Sequence, residues 1–244
     1  GNLLVGLSFG WWVDKHNRHH AHPNTEGIDP DISIGALAFT PDQTSSRSSV
    51  LGRAMTRWQA WLFVPLLLLE GLNLHAASVR ALVDGSRRHH SRALEASLLL
   101  VHAATYLTVL FVFLSPLQAL AFLAVQQGLF GLYMGASFAP NHKGMPILSA
   151  DDRCDYLHRQ VLTSRNVRGG PVVDFALGGL NYQIEHHLFP SMPRPSLRRA
   201  QSLVRAFCAQ QNVAYCETGL LHSYALVLRH LHEAGGPLRP ELEY

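Results

Sequence analysis

Thiolate chemistry has little to work with in this chain. The three cysteines, Cys154, Cys208 and Cys216, are far apart and form no CxxC pair. That excludes a thiolate zinc site or a disulfide framework as the organising feature and leaves free thiols. Charge is scarce too: 15% of the 244 residues are Asp, Glu, Lys or Arg, against about a quarter in soluble domains. Lysine is almost absent, at two residues against eighteen arginines, and the net charge of +3 comes with no nucleic-acid module. Nucleic acid is therefore not an expected partner, and the basic residues suit a membrane surface better. An initiator Met and a signal-peptide pattern are both missing, and the chain opens in mid-pattern at Gly1-Asn2-Leu3-Leu4. The expectation is an N-terminally truncated fragment. What remains is 48% apolar residues and fifteen histidines, a surplus that points to metal, a proton path, or both.

The apolar residues are grouped. Residues 1–12 are small and apolar and end at Trp11-Trp12, like the tail of a membrane helix closed by an aromatic belt. Residues 13–57 are polar and carry Pro23, Pro30, Pro41 and a Ser-rich run, so they are expected to face water. In 58–83 the apolar run Trp58–Leu69 is short, holds Pro65 and is followed by Glu70 and His75. An interfacial or re-entrant piece is expected there. Residues 93–139 form two long apolar segments around Ser115-Pro116, a transmembrane hairpin. From 140 to 244 the chain is polar or mixed, with amphipathic helices expected over 196–216 and 220–232 and a frayed tail from Gly235. The fold class is all-α: one domain over 1–244, with integral membrane helices and a cytoplasmic helical cap. Arg80, Arg87, Arg88 and Arg92 mark the cytoplasmic face. The two polar regions share that face only if 58–83 does not cross.

Two histidine clusters flank the apolar segments: His16-Asn17-Arg18-His19-His20 and Gln183-Ile184-Glu185-His186-His187. Both read X-x-x-His-His, and positions i, i+3 and i+4 share a helix face. At this histidine content either pattern arises by chance in roughly one such chain in twenty, so the two together are not an accident. Imidazole suits Zn, Cu, Fe or Ni. Five histidines exceed one four-coordinate zinc, and two ions sharing the clusters fit better. His142 emerges where the last apolar segment ends and is a further candidate ligand. His22 is read as a support or surface residue, and His89-His90 as a solvated basic pair. His75 and His102, inside apolar segments, are given no role, and His158, His222, His230 and His232 are read as ordinary. Asp14, Asp29, Asp174 and Glu185 are candidates, as a group, to accept the second N–H of a ligating imidazole.

The stretches Gly10-Trp11-Trp12-Val13-Asp14-Lys15-His16-Asn17-Arg18-His19-His20, Phe138-Ala139-Pro140-Asn141-His142-Lys143-Gly144-Met145 and Gly179-Leu180-Asn181-Tyr182-Gln183-Ile184-Glu185-His186-His187-Leu188-Phe189-Pro190 resemble the membrane fatty acid desaturases. The likeness is to the bacterial acyl-lipid or acyl-CoA group related to the front-end desaturases, and it runs over nearly the whole chain. It implies a di-iron centre with O2 as co-substrate. His16, His19 and His20 would be the second histidine box, His186 and His187 the ligands of the third, and His142 the additional ligand. Gln183, at the third box's first position, would bind directly or through water, with Asn141 beside His142; Asn141, and from the carboxylate reading Asp174 and Glu185, are expected to bind metal or support its ligands. The family's first box, an HxxxH, would precede Gly1, so the fragment is expected to be inactive alone. The implied reaction is oxygen-dependent removal of two hydrogens from adjacent carbons of an acyl chain carried on CoA, a carrier protein or a lipid. Two electrons would come from a ferredoxin- or flavin-type donor and its reductase. Two rival readings stand beside it: a hydroxylase of alkyl, sterol or carotenoid substrates at the same site, and a metal transporter or non-catalytic homologue.

Overall fold

The computed structural model describes residues 1–84 and 92–239. Arg87, Arg88, the His89-His90 pair and the end of the tail, 240–244, lie outside them. The helices begin with α1 (Asn2–Val5), α2 (Phe9–Ala21), α3 (Pro41–Ser45), α4 (Val50–Arg57), α5 (Gln59–Val83), α6 (Arg92–Phe113) and α7 (Pro116–His142). They continue with α8 (Tyr156–Leu162), α9 (Pro171–Ala176), α10 (Gln183–Leu188), α11 (Arg194–Gln210) and α12 (Leu220–Ala234). Among the described residues the fold is all-α apart from one short parallel strand pair, β1 (Asn166–Arg168) with β2 (Glu217–Gly219).

The chain divides into two compact units, residues 1–17 with 64–135 and residues 18–63 with 136–244. The first holds most of the apolar helices. At about 1.5 Å of rise per residue, the 25, 22 and 27 residues of α5, α6 and α7 exceed the ~30 Å of a bilayer core. All three are long and apolar enough to cross a membrane. Leu100, Phe111, Leu117 and Phe122 stand exposed on α6 and α7, as lipid-facing residues do. Pro65 does not interrupt α5. It forgoes one backbone bond while the helix continues on both sides, so the dozen-residue apolar run understated this element.

In the same unit, α5 and α7 meet through glycines. A Cβ on Gly131 would lie 2.5 Å from the Gly71 nitrogen, and one on Gly135 would lie 2.4 Å from Leu67. Gly131 and Gly135 thus form a small-xxx-small contact that lets two apolar helices approach backbone to backbone. Ahead of α2, Ser8 donates to the buried Glu95 carboxylate, which also accepts the Gly10 N–H at 2.9 Å.

The second unit is built on α10. Ile184, fully buried, packs with Val161, Val204, Cys208 and Val213, bordered by Leu157, Leu162, Leu188 and Tyr215. Truncating such a side chain to Ala costs about 2–5 kcal/mol, so α10 is firmly placed. The α9–α10 turn runs through Gly178 (φ 57°) and Gly179 (φ 81°), left-handed positions that glycine adopts without strain. The expected 196–216 helix stops at Gln210. Asn212 takes a left-handed φ of 55°, and Val213 N–H returns to the Cys208 carbonyl at 2.9 Å. Freed from the helix, 211–219 supplies Tyr215 and β2 instead.

Candidate metal centre

Three elements of the second unit bring imidazoles together. The last turn of α2 carries His19 and His20, the end of α7 carries His142, and α10 carries His186 and His187. One ring nitrogen each from His19, His142 and His187 lies within 4.8 Å of those of the other two, and all three residues are buried. His20 stacks on His187, with centroids 4.2 Å apart, and meets His186 edge-on at 4.6 Å. His16, one helical turn ahead of His20 on α2, stacks on Trp12. The spacing i, i+4 gives it the same helix face as His20.

The partners of the second ring nitrogens fix the tautomers. His19 Nδ1 sits 3.0 and 2.9 Å from the two Asp29 carboxylate oxygens. An ionised carboxylate only accepts, so Nδ1 carries the proton. Asp29 is itself held by the Asn24 and Asp31 backbone N–H groups at 2.7 and 2.8 Å. His142 Nδ1 donates to the Thr163 carbonyl at 3.0 Å. His187 Nδ1 donates to Gln160 Oε1 at 3.0 Å, and the Gln160 amide N–H donates to the His20 carbonyl at 2.9 Å, which orients that side chain. Each Nε2 is therefore left as a lone pair. The His187 Nε2 has no hydrogen-bond partner among the described residues although it is buried. His19 and His142 present Nε2 to Nε2 at 3.3 Å.

Two lone pairs at that distance repel unless a cation lies between them. Burial and the neighbouring histidines also hold His187, the third ring, well below the ordinary imidazole range. A metal ion resolves the conflict: nitrogens about 2.1 Å from one ion can stand 3.3 Å apart. Imidazoles whose outer N–H groups go to a carboxylate, a carbonyl and an amide are the usual environment of a bound metal. The donor set fits a nitrogen-ligated transition ion.

Gln183 donates to His142 Nε2 at 2.9 Å and accepts from Asn141 Nδ2 at 3.3 Å, so it borders the cluster. The structure directs Asp174 and Glu185 elsewhere. Asp174 accepts from Asn181 and Tyr182 and holds the α9–α10 turn. Glu185, fully buried, accepts from Tyr215 and Asn166, each at 2.7 Å, which fastens α10 to β1 and the 213–215 loop. Burial pushes its carboxyl above the usual range.

Several supporting residues carried no sequence signal. Gln160, on α8, and Thr163, at its C-cap, are ordinary residue types, and the Asp155 cap sets the helix start. Asn24 reaches the His142 carbonyl at 3.0 Å. Arg165 is fully buried and donates to the carbonyls of Pro140 at 2.9 Å and Lys143 at 2.9 Å. It satisfies the orphan acceptors at the end of α7 and so anchors the segment that presents His142.

Comparisons with known proteins identify the family. The chain matches the fatty acid desaturase family over residues 1–219. It is 31% identical over 243 residues to the Delta(6)-fatty-acid desaturase fat-3 of Caenorhabditis elegans, covering 95% of this chain and 55% of that protein. It is 32% identical over 236 residues to the acyl-lipid 8-desaturase of Rebecca salina, covering 94% and 53%. With the acyl-lipid (9-3)-desaturase of Physcomitrium patens the figures are 29% over 239 residues, covering 96% and 45%. The chain thus spans about half the length of the curated relatives it matches. These relatives are eukaryotic, so they do not support the bacterial assignment that the sequence pattern suggested. No solved structure matches. A family match that takes in α2, the end of α7 and α10 covers every imidazole of the cluster, and the chain belongs to the fatty acid desaturase family.

Proposed function

We propose that the protein carrying this chain is an oxygen-dependent fatty acyl desaturase with a di-iron centre. The ligands would be His16, His19, His20, His142, His186 and His187, with Gln183 as a direct or water-mediated ligand. The observation that carries the reading is the His19–His142–His187 cluster, with every Nδ1 tied outward and lone pairs left facing inward. His20 and His186 pack against that cluster, and His16 joins them by helical spacing. When bound, iron would supply the oxygen activation that unactivated C–H bonds require. The net change removes one hydrogen from each of two adjacent acyl carbons and reduces O2 to two waters with two further electrons and protons. The protein's part is to hold the imidazoles in one tautomer, through Asp29, Thr163 and Gln160, and to exclude water from a buried site.

The acyl group would arrive on CoA, a carrier protein or a lipid, and the electrons from a ferredoxin- or flavin-type donor and its reductase. The site would face the cytoplasm. His19 and His142 share one cluster, so an even number of membrane crossings separates them. Of the three candidate spans between them, we assign the crossing to the α6–α7 hairpin and keep 58–83 interfacial or re-entrant. Incubating the protein with labelled acyl substrate, O2 and reductant, then analysing the products, tests the reaction. Alkenes are expected. Hydroxylated chains without alkenes would favour the hydroxylase reading, and one zinc per chain with no iron would favour a metal-handling protein.

A further inference from the structure

His75 and His102, which the metal centre does not use, frame a separate cavity in the first unit. It measures about 490 Å³, within the range of small-molecule sites, and is bounded by α1, α5, α6 and α7. Most of its wall is apolar, including Leu72, Leu99, Leu107 and Phe130. The polar groups sit together. His75 Nδ1 donates to the Gly6 carbonyl at 2.9 Å and His102 Nδ1 to the Leu3 carbonyl at 2.8 Å. These bonds serve acceptors at the end of α1 and fix both tautomers, so each Nε2 is a lone pair. Gln127 Nε2 approaches His75 Nε2 at 3.4 Å. No hydrogen bond reaches His102 Nε2 among the described residues. Gln126 Oε1 accepts from Tyr106 at 3.3 Å and from Gln127 at 3.0 Å, which leaves the Gln126 amide N–H groups as donors. Gly6 has φ 76°, and a Cβ there would lie 2.6 Å from the His102 ring and 3.1 Å from His75, so only glycine lets the two rings close over this turn.

We propose that this cavity binds one neutral lipid through a hydroxyl group, a site separate from the metal centre and independent of the reaction assigned to it. The hydroxyl donates to His102 Nε2 and accepts from the Gln126 amide, while the alkyl tail lies along the apolar wall. The lining chemistry selects the class. It offers lone pairs and no cation, so an ionised carboxylate or a phosphate is disfavoured. A plain alkane or an ether leaves the His102 acceptor unpaired.

The test uses the full chain in nanodiscs and three photoactivatable probes of equal length: a diazirine-bearing hexadecanol, its methyl ether and the corresponding carboxylate. Labelled residues are mapped by mass spectrometry. The alcohol is expected to label within 99–107 and 123–130 and to be displaced by plain hexadecanol. The ether should label about fivefold less, the worth of one buried hydrogen bond, and the carboxylate less than the alcohol. Ala103→Phe, which fills the cavity, should remove labelling by all three. His102→Leu should erase the preference for alcohol over ether. Gln126→Leu, which leaves the α1 carbonyls with their partners, should lower labelling by the alcohol and the ether alike and leave the preference in place, because both oxygens accept from that amide. Equal labelling by alcohol and ether in the unaltered chain would overturn the proposal, as would carboxylate labelling equal to that of the alcohol or labelling that survives Ala103→Phe.

Discussion

The two groups of imidazoles solve the same local problem differently. In both, Nδ1 is spent on an outer acceptor and Nε2 faces inward. Around His75 and His102 there are two rings, the acceptors are carbonyls of a four-residue helix and of its Gly6 cap, and the nearest neighbours are amides that can donate. Around His19, His142 and His187 there are three rings, all buried, and one acceptor is the Asp29 carboxylate. A carboxylate raises the basicity of its imidazole, and a third lone pair has no protein donor to meet it. Histidine count therefore does not separate a metal site from a lipid pocket. The charge of the outer acceptors and the number of buried inward lone pairs do, since a glutamine amide reaches an imidazole in both groups.

Substitutions can break that comparison, beginning with the largest effect. Replacing His187 or His19 by Ala should weaken metal binding by more than about 100-fold, beyond the usual loss of an outer partner. His75→Leu should leave it unchanged, as metal analysis after dialysis would show. Asp29→Asn keeps an acceptor but removes its charge, and Gln160→Leu removes it outright. Each is expected to lower metal affinity by about 10–100-fold with the helix content retained by circular dichroism. Arg165→Met would leave the Pro140 and Lys143 carbonyls buried without donors, at about 1–3 kcal/mol each. It should appear as a lower melting temperature, with the metal affinity of the folded fraction close to that of the unaltered chain. The smallest effect is expected for Gly6→Ala. Strain at a left-handed position costs about 1–3 kcal/mol, and that change should disturb the His75–His102 cavity and spare the metal centre. Loss of metal from Gly6→Ala protein would contradict the separation of the two groups.

Much of this was legible in the residues. The helical period placed three histidines on one face of α2, and the apolar runs marked α6 and α7, because both signals are local. His142 stood out through its position at the end of an apolar segment. Of the residues that set the tautomers, Asp29 was among the carboxylates marked by nearness to the first cluster, but Gln160 and Thr163 were not legible, nor was Arg165 behind His142. Gln160, Thr163 and Arg165 act on partners in other helices at 27, 21 and 25 residues' separation in turn, with nothing in their own neighbourhoods to mark them. Glu185 is a related case. Adjacent in sequence to His186, it lies on the other side of a six-residue helix and bonds Asn166 and Tyr215. The continuity of α5 was hidden by Pro65, which sits inside an unbroken helix from Gln59 to Val83.

The most direct test of the metal centre is an anaerobic titration of the purified chain with Fe(II), or with Co(II) as a spectroscopic stand-in, read by X-ray absorption. The account predicts at least one tightly held ion with imidazole nitrogen ligands about 2.1 Å away, lost in His187→Ala and retained in His102→Leu. An ion bound equally well by both variants, or no bound ion at all, would contradict it.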